Sequence, residues 1–433
     1  MGKLSSKMHK RVLIIATTPY SENYSSRAMD AEFHYWEKEK VAQIYTRNIV
    51  PKKGHCAELY QITDSNMLKR WLHKTKETGL IYRYEELSDS GENEITDNGT
   101  MQKLGTKHTP TIEILRRILW RKKYWCTDKL NNWLDSFNPE CIFYNFSNHI
   151  FTQQIALYVA EKYNIPIITA IGDDYFFNDR RSLSPAYHLF RRKFKTMTRR
   201  ILKRKNSSAV YCSDKIRDKY NAEFDLTGET IYLNSTLERR PFAPIDLEHP
   251  VIAYFGNIRL GRNHALVDVA SALASIDPKY RLEVYSGETD PAVYDVLKKH
   301  PNIDYKGKIP YDSVKNRMAE CDLIVVVEGF KKEDLIFTRY SLSTKAADSL
   351  ASGVAVLAYG PEDAGVIGYL KETKAVAACT TEKDLEECIK KLFSDIDFQK
   401  SMYEKAIEVY RRNHTVESSC SVFEKLVDMV VEG

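Results

Sequence analysis

SLSTKAADSLASGVAVLAYG, residues 341–360, forms a complete helix-to-strand unit in this chain of 433 residues. The alanines and the leucine between residues 345 and 351 are spaced to give one buried helical stripe. Gly353 should end that helix, and residues 354–358 (VAVLA) are typical of a short buried strand. The helix begins after a polar segment, where free N–H groups and the positive dipole end favour an anion. By spacing alone, an ordinary helix–strand unit of any Rossmann-like domain would look the same.

Short apolar strands and amphipathic helices alternate along the rest of the chain. In the first half the predicted strands are residues 11–17, 41–46, 59–63, 141–146, 165–171, 209–213 and 230–234. In the second half they are residues 251–256, 281–285, 303–305, 323–327, 354–358 and 375–378. This alternation predicts parallel sheets covered by helices on both faces.

A segment rich in proline, residues 239–250 (RRPFAPIDLEHP), interrupts the alternation once and is typical of a linker. We therefore expect an α/β protein with two Rossmann-like domains. The first is residues 1–245, and the second is residues 246–433, which carries the C-terminal helices. The last of these helices has apolar residues on one face, so it should dock onto another element.

Composition favours a cytoplasmic protein with full hydrophobic cores. Hydrophobic residues make up 43% of the chain, yet no apolar run approaches the ~18–20 residues needed to span a bilayer. The eight cysteines are scattered, without a CxxC pair or zinc-ligand spacing. Buried free thiols in a reducing compartment are the favoured interpretation.

Positive charge is concentrated in the first half of the chain. Residues 1–245 carry 40 Lys or Arg and 28 Asp or Glu, whereas residues 246–433 carry 24 and 31. The most basic stretch is residues 184–205, with nine Lys or Arg between residues 191 and 205. Its apolar residues recur at helical spacing. This helix could pack its apolar stripe on its own domain, or lie on an anionic membrane surface.

Polar residues follow two predicted strands of the first domain, at the edge where ligands bind in open α/β sheets. His149 opens the helix after residues 141–146, and Asp173 and Asp174 come soon after residues 165–171. Adjacent carboxylates on one loop point in different directions, which argues against a metal site. The two aspartates could contact hydroxyl groups of a ligand or cap the following turn, and His149 could bind a ligand or be a satisfied loop histidine.

A second group of residues is suited to a phosphate. GNIRLGRN, residues 256–263, joins a strand to a helix and supplies two glycines and two arginines. Backbone N–H groups and a permanently charged guanidinium are a common way to hold phosphate. Lys345 comes from a later strand–helix turn of the same domain, so both cations should converge at the same sheet edge. We call residues 256–263 together with Lys345 the phosphate cradle.

Three segments resemble a known family. YFGNIRLGRN, YKGKIPYDSV and STKAADSLASGVAVLAYG occur in the order and spacing of the nucleotide-sugar domain of GT-B-fold retaining glycosyltransferases. The match is best to glycosyltransferase family 4, especially members that assemble bacterial capsular or lipopolysaccharide polymers. It covers roughly residues 250–412 and is looser over residues 1–245. The resemblance implies two Rossmann-like domains facing each other across a cleft, with a C-terminal helix.

The resemblance also implies a set of donor-binding residues. Gly256 would let the sugar diphosphate approach, and Arg262 matches the cation that binds it. Asp348 stands where the family has a ribose-binding glutamate. Tyr340 replaces a further glutamate of the family, and Glu328 could take over from a neighbouring loop. The full expected set is Gly256, Asn257, Arg262, Gly307, Glu328, Ser343, Thr344, Lys345 and Asp348.

The implied activity is sugar transfer from a nucleotide-diphosphate sugar to a saccharide or polyprenyl-linked acceptor, with retention of configuration. Arg262 and Lys345 would stabilise the leaving diphosphate, so neither a metal nor a cofactor is expected. His149, Asp173 and Asp174 would lie on the acceptor side, where Asp173 is the candidate for a catalytic role beside Arg262 and Lys345. The site would work on the inner face of the plasma membrane. Three alternatives stay open: a nucleotide-sugar epimerase on the same fold, a polyanion-binding protein acting through residues 112–125 and 184–205, and a degenerate transferase kept as an interaction partner. We expect no nucleic acid partner.

Overall fold

The computed structural model describes residues 9–20, 26–88, 116–179, 181–342 and 344–433. It is an α/β protein that divides into two compact units, each built on one sheet, as predicted. The first unit runs to Ile231 and also contains Cys420–Gly433, and the second is Tyr232–Ser419. The division thus differs from the expected domains in two places, because residues 232–245 join the second unit and the chain end joins the first.

The first unit has an eight-stranded sheet in the order β4-β3-β2-β1-β5-β6-β7-β8. Its strands are β1 Val12–Ala16, β2 Val41–Tyr45, β3 Glu58–Gln61, β4 Leu80–Arg83, β5 Cys141–Asn145, β6 Ile167–Ile171, β7 Ser208–Tyr211 and β8 Glu229–Thr230. All neighbours are parallel except β4, which is antiparallel to β3. Sequence patterning missed β4, because this half-exposed edge strand lacks the apolar run that marks the others.

Helices cover this sheet, and the central strand β1 is fully buried along its length. The α-helices whose bounds both lie in the described part of this unit are α1 Ser26–Phe33, α2 Asp64–Trp71, α3 Lys122–Trp125, α4 Asp128–Phe137, α5 Ile150–Tyr163, α6 Pro185–Leu202 and α7 Asp214–Phe224. A capping box at Thr63 starts α2, and the left-handed residue Asn138 ends α4.

The second unit has a six-stranded parallel sheet in the order β11-β10-β9-β12-β13-β14. Its strands are β9 Ile252–Phe255, β10 Leu282–Tyr285, β11 Ile303–Gly307, β12 Leu323–Val327, β13 Ala355–Tyr359 and β14 Ala377–Cys379. The strand order reverses between β9 and β12. The loops after these two strands border a crevice at the carboxyl edge, where ligands bind in such sheets.

The helices of the second half are α8 Arg262–Ile276, α9 Pro291–Lys298, α10 Tyr311–Glu320, α11 Lys332–Thr338, α12 Thr344–Ser352, α13 Gly365–Thr373, α14 Leu385–Ser394, α15 Ile396–Asn413 and α16 Val416–Glu432. The apolar face of α16 docks onto the core of the first unit. Phe423 meets Phe33 with ring centroids 4.9 Å apart, and Leu426, Val427 and Val430 belong to the same cluster. The docking predicted for the last helix is confirmed, and its partner is the first sheet.

The segment expected to be a linker is bound to the second unit along its length. The Arg240 N–H donates to the Ser352 carbonyl at 3.0 Å, and the Ile245 N–H donates to Gln399 Oε1 at 3.2 Å. Gly353 has φ 77°, and a Cβ there would lie 2.4 Å from the Arg240 oxygen. Gly353 therefore both ends α12 and makes room for the extended segment.

Candidate functional site

Two loops meet at the crevice between β9 and β12. A Cβ on Gly329 would lie 2.3 Å from the Leu260 carbonyl oxygen, and a Cβ on Gly261 would lie 3.0 Å from the Gly329 Cα. Gly261 also has φ 74°, which favours glycine for conformational reasons. These contacts hold the loop after β9 against the residues after β12, so side chains from both loops enter the same small space.

Arg262, the first residue of α8, forms a bidentate ion pair with Glu328 at the end of β12. Its Nε and Nη2 each donate to a different carboxylate oxygen at 2.9 Å. The Glu328 side chain is only 2% exposed, and that of Arg262 is 13% exposed. Burial acts to lower the pKa of Arg262, but the charge and hydrogen bonds of Glu328 outweigh it and raise the pKa overall. Fork-to-fork pairs of this kind are strong and geometrically specific.

Lys345 lies in the first turn of α12 and reaches into the same space. Its Nζ is 2.5 Å from Tyr254 Oη, and a Cβ on Gly256 would lie 2.6 Å from Lys345 Cε. Gly256 (φ 131°) therefore lacks a side chain where Lys345 passes. Burial, and then the neighbouring charge of Arg262, lowers the pKa of Lys345 to about 7, with Glu328 opposing the shift. This lysine can thus change its charge near neutral pH.

Tyr254 is a site residue that sequence patterning missed. It is fully buried in β9, and within this apolar strand the sequence pattern predicts only a core residue. Its hydroxyl accepts a hydrogen bond from Lys345 and donates one to the Asn257 carbonyl at 2.5 Å. A buried tyrosine hydroxyl needs a hydrogen-bond partner, and a polar loop follows Tyr254 almost directly in the sequence. This need for a partner is the feature by which the sequence could have indicated Tyr254. Tyr254 links the lysine to the loop of the phosphate cradle.

Only one of the two arginines of the cradle points into the crevice. Arg259 is half exposed and forms two hydrogen bonds with Glu288, at 2.6 and 2.7 Å. Hydrogen bonds from Arg259, followed by backbone N–H groups, lower the pKa of Glu288 to about 2. The exposed Asn257 accepts a hydrogen bond from the Arg259 N–H at 2.7 Å and shapes the loop.

Asp348, which was expected to bind ribose, is buried and hydrogen-bonded to another residue of the second unit. It lies one turn after Lys345 and is 8% exposed. Its Oδ1 accepts a hydrogen bond from Ser235 Oγ at 2.7 Å. The structure thus provides no well-exposed carboxylate here, because the segment after Ile231 covers it.

The other expected donor residues lie at two further turns. Gly307 ends β11 with φ 76°, and a Cβ there would meet open space, so backbone conformation is what favours glycine. Thr344 is the first residue of α12, which places a helix N-terminus beside Lys345. Ser343 lies outside the described residues.

The residues expected on the acceptor side belong to the first unit. Asp174 accepts hydrogen bonds from the Tyr220 hydroxyl (3.0 Å), the Lys219 ammonium (2.9 Å) and the Phe177 N–H (3.0 Å). It caps the following turn, which was one of its two expected roles. Asp173 is exposed and accepts a bond from the Tyr175 hydroxyl at 3.0 Å. Within the described ranges, no group of three acidic, histidine or cysteine side chains is arranged to hold a metal ion.

His149 precedes the first residue of α5, and its ring stacks on Phe151 at 5.0 Å between centroids. The backbone carbonyl of His149 accepts a hydrogen bond from Thr152 Oγ1 at 2.8 Å. These contacts fix the start of the helix.

The two basic stretches differ in what they leave exposed. In α6 the predicted apolar stripe is buried, comprising Phe190, Phe194, Met197 and Ile201. The stripe packs on its own unit, and cations remain on the outer face. In the other stretch Trp120 and Trp125 are buried, and Arg116 pairs with Asp64 at 3.1 Å. Its two tryptophans therefore belong to the core, whereas Tyr124 is only partly buried. No helix among the described residues is long and apolar enough to cross a membrane.

Solved structures similar to this one cover almost the whole chain. HepE from Anabaena, solved with UDP and glucose, has a TM-score of 0.59 and 10% identity, over 97% of this chain and 100% of that one. Sucrose-phosphate synthase from Thermosynechococcus elongatus has a TM-score of 0.57 and 11% identity, over 98% and 100%. The chain has the GT-B fold.

A further structure with the GT-B fold is TarM from S. aureus, solved with Fondaparinux, alpha-GlcNAc-glycerol and UDP. It has a TM-score of 0.56 and 10% identity, over 96% of this chain and 100% of that one. The sequence matches no protein-family model and no curated protein. At such identities the likeness establishes the GT-B fold alone, and the function must be argued from the site.

Proposed function

We propose that this protein is a glycosyltransferase that moves a sugar from a nucleotide-diphosphate sugar to a saccharide or lipid-linked saccharide. The observation that carries the proposal is the phosphate cradle. Arg262, Lys345 and the N-terminus of α12 meet beside Gly256, at the point where the strand order reverses. HepE and TarM are solved with UDP, so UDP is the first nucleotide to test.

The cradle suits a leaving diphosphate. Negative charge develops on the diphosphate as the sugar departs, and fixed cations with a helix dipole stabilise it. The glycine at the end of β9 lets the backbone and the phosphate oxygens approach closely. We propose that Arg262 and Lys345 perform this role without a metal, and that Glu328 either releases Arg262 to the diphosphate or accepts hydroxyl groups of the donor sugar. Retention of configuration rests on the resemblance to retaining transferases.

We also propose that the enzyme works on an anionic membrane face, in surface polysaccharide synthesis. The support is electrostatic. The outer face of α6 exposes Arg192 and Arg199, and Lys203 is exposed directly after the helix end. Leu183 and Leu189 are exposed nearby. Basic residues near an anionic surface each contribute about 1 kcal/mol of attraction. The surface is therefore suited to a peripheral protein that meets a polyprenyl-linked acceptor in the cytoplasm.

Thermal unfolding with UDP, GDP, ADP and CMP, in EDTA, tests the donor site. A nucleotide at ~100 times its dissociation constant should add ~2.7 kcal/mol to the free energy of unfolding. We expect one nucleotide to raise the melting temperature, and Arg262→Ala to abolish the shift. An absence of any shift would refute the proposal and favour the polyanion-binding or degenerate-transferase alternative. Product analysis with the matching nucleotide sugar then separates transfer to an acceptor from epimerisation.

A further inference from the structure

A cavity of about 470 Å³ lies in the second unit, next to the phosphate cradle and distinct from it. One wall is the first turns of α8, including His264 and Asp268. The other wall is residues 380–382, which follow β14. Gly261 borders both the cavity and the cradle. The cavity thus lies at the same carboxyl edge of the second sheet as the cradle, and neither Arg262 nor Glu328 is among its lining residues.

The polar side chains that line this cavity are two carboxylates, three hydroxyl groups, His264 and Lys331. At its floor the Tyr359 hydroxyl donates to Asp268 Oδ2 at 3.1 Å. The carboxylates of Asp268 and Glu382 both line the cavity, and Thr380 and Thr381 add hydroxyl groups. Burial, together with the charge of Glu382, raises the pKa of Asp268 against the hydrogen bond from Tyr359. Carboxylates accept hydrogen bonds from the hydroxyl groups of a ligand, and the Lys331 ammonium can donate to their oxygens.

The rim supplies an apolar surface. Phe330 is 40% exposed, and its ring lies 5.1 Å from the Tyr359 ring. An exposed ring above acidic acceptors fits a ligand with one apolar face and a hydroxyl-bearing edge. The volume lies within the range of about 300–1,000 Å³ typical of small-molecule sites.

We propose that this cavity binds a sugar residue. The inference rests on the proposed function, because it assigns the cavity to a substrate of the same reaction. The sugar has two sources: the glycosyl group of the nucleotide donor, or a saccharide unit of the acceptor. Both present the same hydroxyl-rich chemistry to Asp268, Glu382 and Phe330.

Saturation-transfer NMR of the full chain with D-glucose, D-galactose and N-acetyl-D-glucosamine tests the proposal. At least one hexose should give a signal that saturating UDP leaves in place. Phe330→Ala and Glu382→Gln should each weaken its binding by ~fivefold or more. Glu372→Gln is the matched control, because Glu372 is an exposed carboxylate of the same unit outside the cavity.

Competition separates the two sources. If the cavity holds the donor's own sugar, UDP-glucose should displace the hexose while UDP does not, and the variants should weaken UDP-glucose but not UDP. If it holds an acceptor unit, the hexose signal should survive UDP-glucose.

The proposal would be overturned if none of the three hexoses gave a saturation-transfer signal. It would also be overturned if both variants gave the same signal as the native protein. Loss of the signal in the Glu372 control would also overturn it. Failure of the proposed donor site would be seen separately, because no nucleotide would then raise the melting temperature of the protein. Glu382 is exposed, so its variant keeps the test valid even if Phe330→Ala fails to fold.

Discussion

Arg262 and Glu328 form a bidentate ion pair with two bonds of 2.9 Å, although 66 residues separate them in the sequence. The pair joins the start of α8 to the end of β12 and so spans the crevice. A carboxylate as buried as Glu328 is costly unless it is paired. The pair therefore positions the main cation of the cradle before a ligand binds.

Glu328→Gln should lower the free energy of unfolding by about 3 kcal/mol, because it leaves two neighbouring buried cations without their carboxylate. It should also tighten UDP binding, since the diphosphate no longer competes for Arg262. Urea unfolding and calorimetry measure the two effects. Glu320→Gln is the control, because its pair with Arg317 is exposed and should cost below about 1 kcal/mol. Equal stability of the two variants would contradict the prediction.

Arg262→Ala and Lys345→Ala should each weaken UDP binding more than tenfold, by more than ~1.4 kcal/mol. Each removes a cation that lies in the crevice. Arg259→Ala is a matched control from the same loop, and because Arg259 pairs with Glu288 it should change UDP affinity less than about twofold. Titration calorimetry measures all three. If the control lost as much affinity as Arg262→Ala, the diphosphate would lie on the outer side of the loop.

UDP affinity should fall as pH rises above 7. Because the pKa of Lys345 is lowered to about 7, its free side chain becomes neutral above that pH. Binding a diphosphate favours the charged form, so binding takes up a proton there, and affinity should drop by up to about tenfold per pH unit. The second ionisation of a phosphate has a pKa of about 6, so UDP is almost fully ionised above about pH 7 and does not mask the trend.

Lys345→Arg provides the control for this pH dependence, because an arginine keeps its charge across the range. Calorimetry in two buffers of different ionisation enthalpy should report proton uptake in the native protein and none in the variant. Equal UDP affinity of the native protein at neutral and alkaline pH would refute the role of Lys345.

His414 should make the fold sensitive to acid. Its Nδ1–H donates to the Leu233 carbonyl at 2.8 Å, so Nε2 accepts from the Tyr369 hydroxyl at 2.7 Å. Burial lowers the pKa of His414 to about 4. A lowered histidine pKa contributes stability that is present above the unfolded value of about 6.5 and is lost as pH falls toward 4. The full loss is about 3 kcal/mol.

Urea unfolding across this pH window measures the loss. His414→Gln keeps a polar side chain but does not titrate, so its stability should fall less steeply over the same window. Parallel pH profiles for the native protein and the variant would show that other groups account for the acid sensitivity.

Neutralising the outer face of α6 should reduce binding to anionic vesicles. Changing Arg192, Arg199 and Lys203 to Gln should weaken sedimentation with phosphatidylserine vesicles by at least about tenfold, since each cation contributes about 1 kcal/mol. A control of equal charge change in the second unit should have little effect: Lys279, Lys383 and Lys400 to Gln. Equal sedimentation of both triple variants would leave α6 with a structural role alone.

Sequence patterning alone predicted the α/β class, and it predicted that Gly256, Arg262 and Lys345 lie at one edge of the second sheet. Strand periodicity and helix ends are local signals, and carboxyl ends of parallel strands share one edge. Gly256, Arg262 and Lys345 could therefore be assigned to one site from their positions after predicted strands. The same local signals marked α16 as a helix with one apolar face.

The partners that these groups meet are a property of the tertiary fold. It paired Arg262 with Glu328, placed Tyr254 under Lys345, and covered Asp348 with Ser235. It likewise buried the apolar stripe of α6 and docked the end of the chain on the first unit. An apolar face or a buried charge specifies that a partner is needed, but the choice of partner depends on packing between residues far apart in the chain.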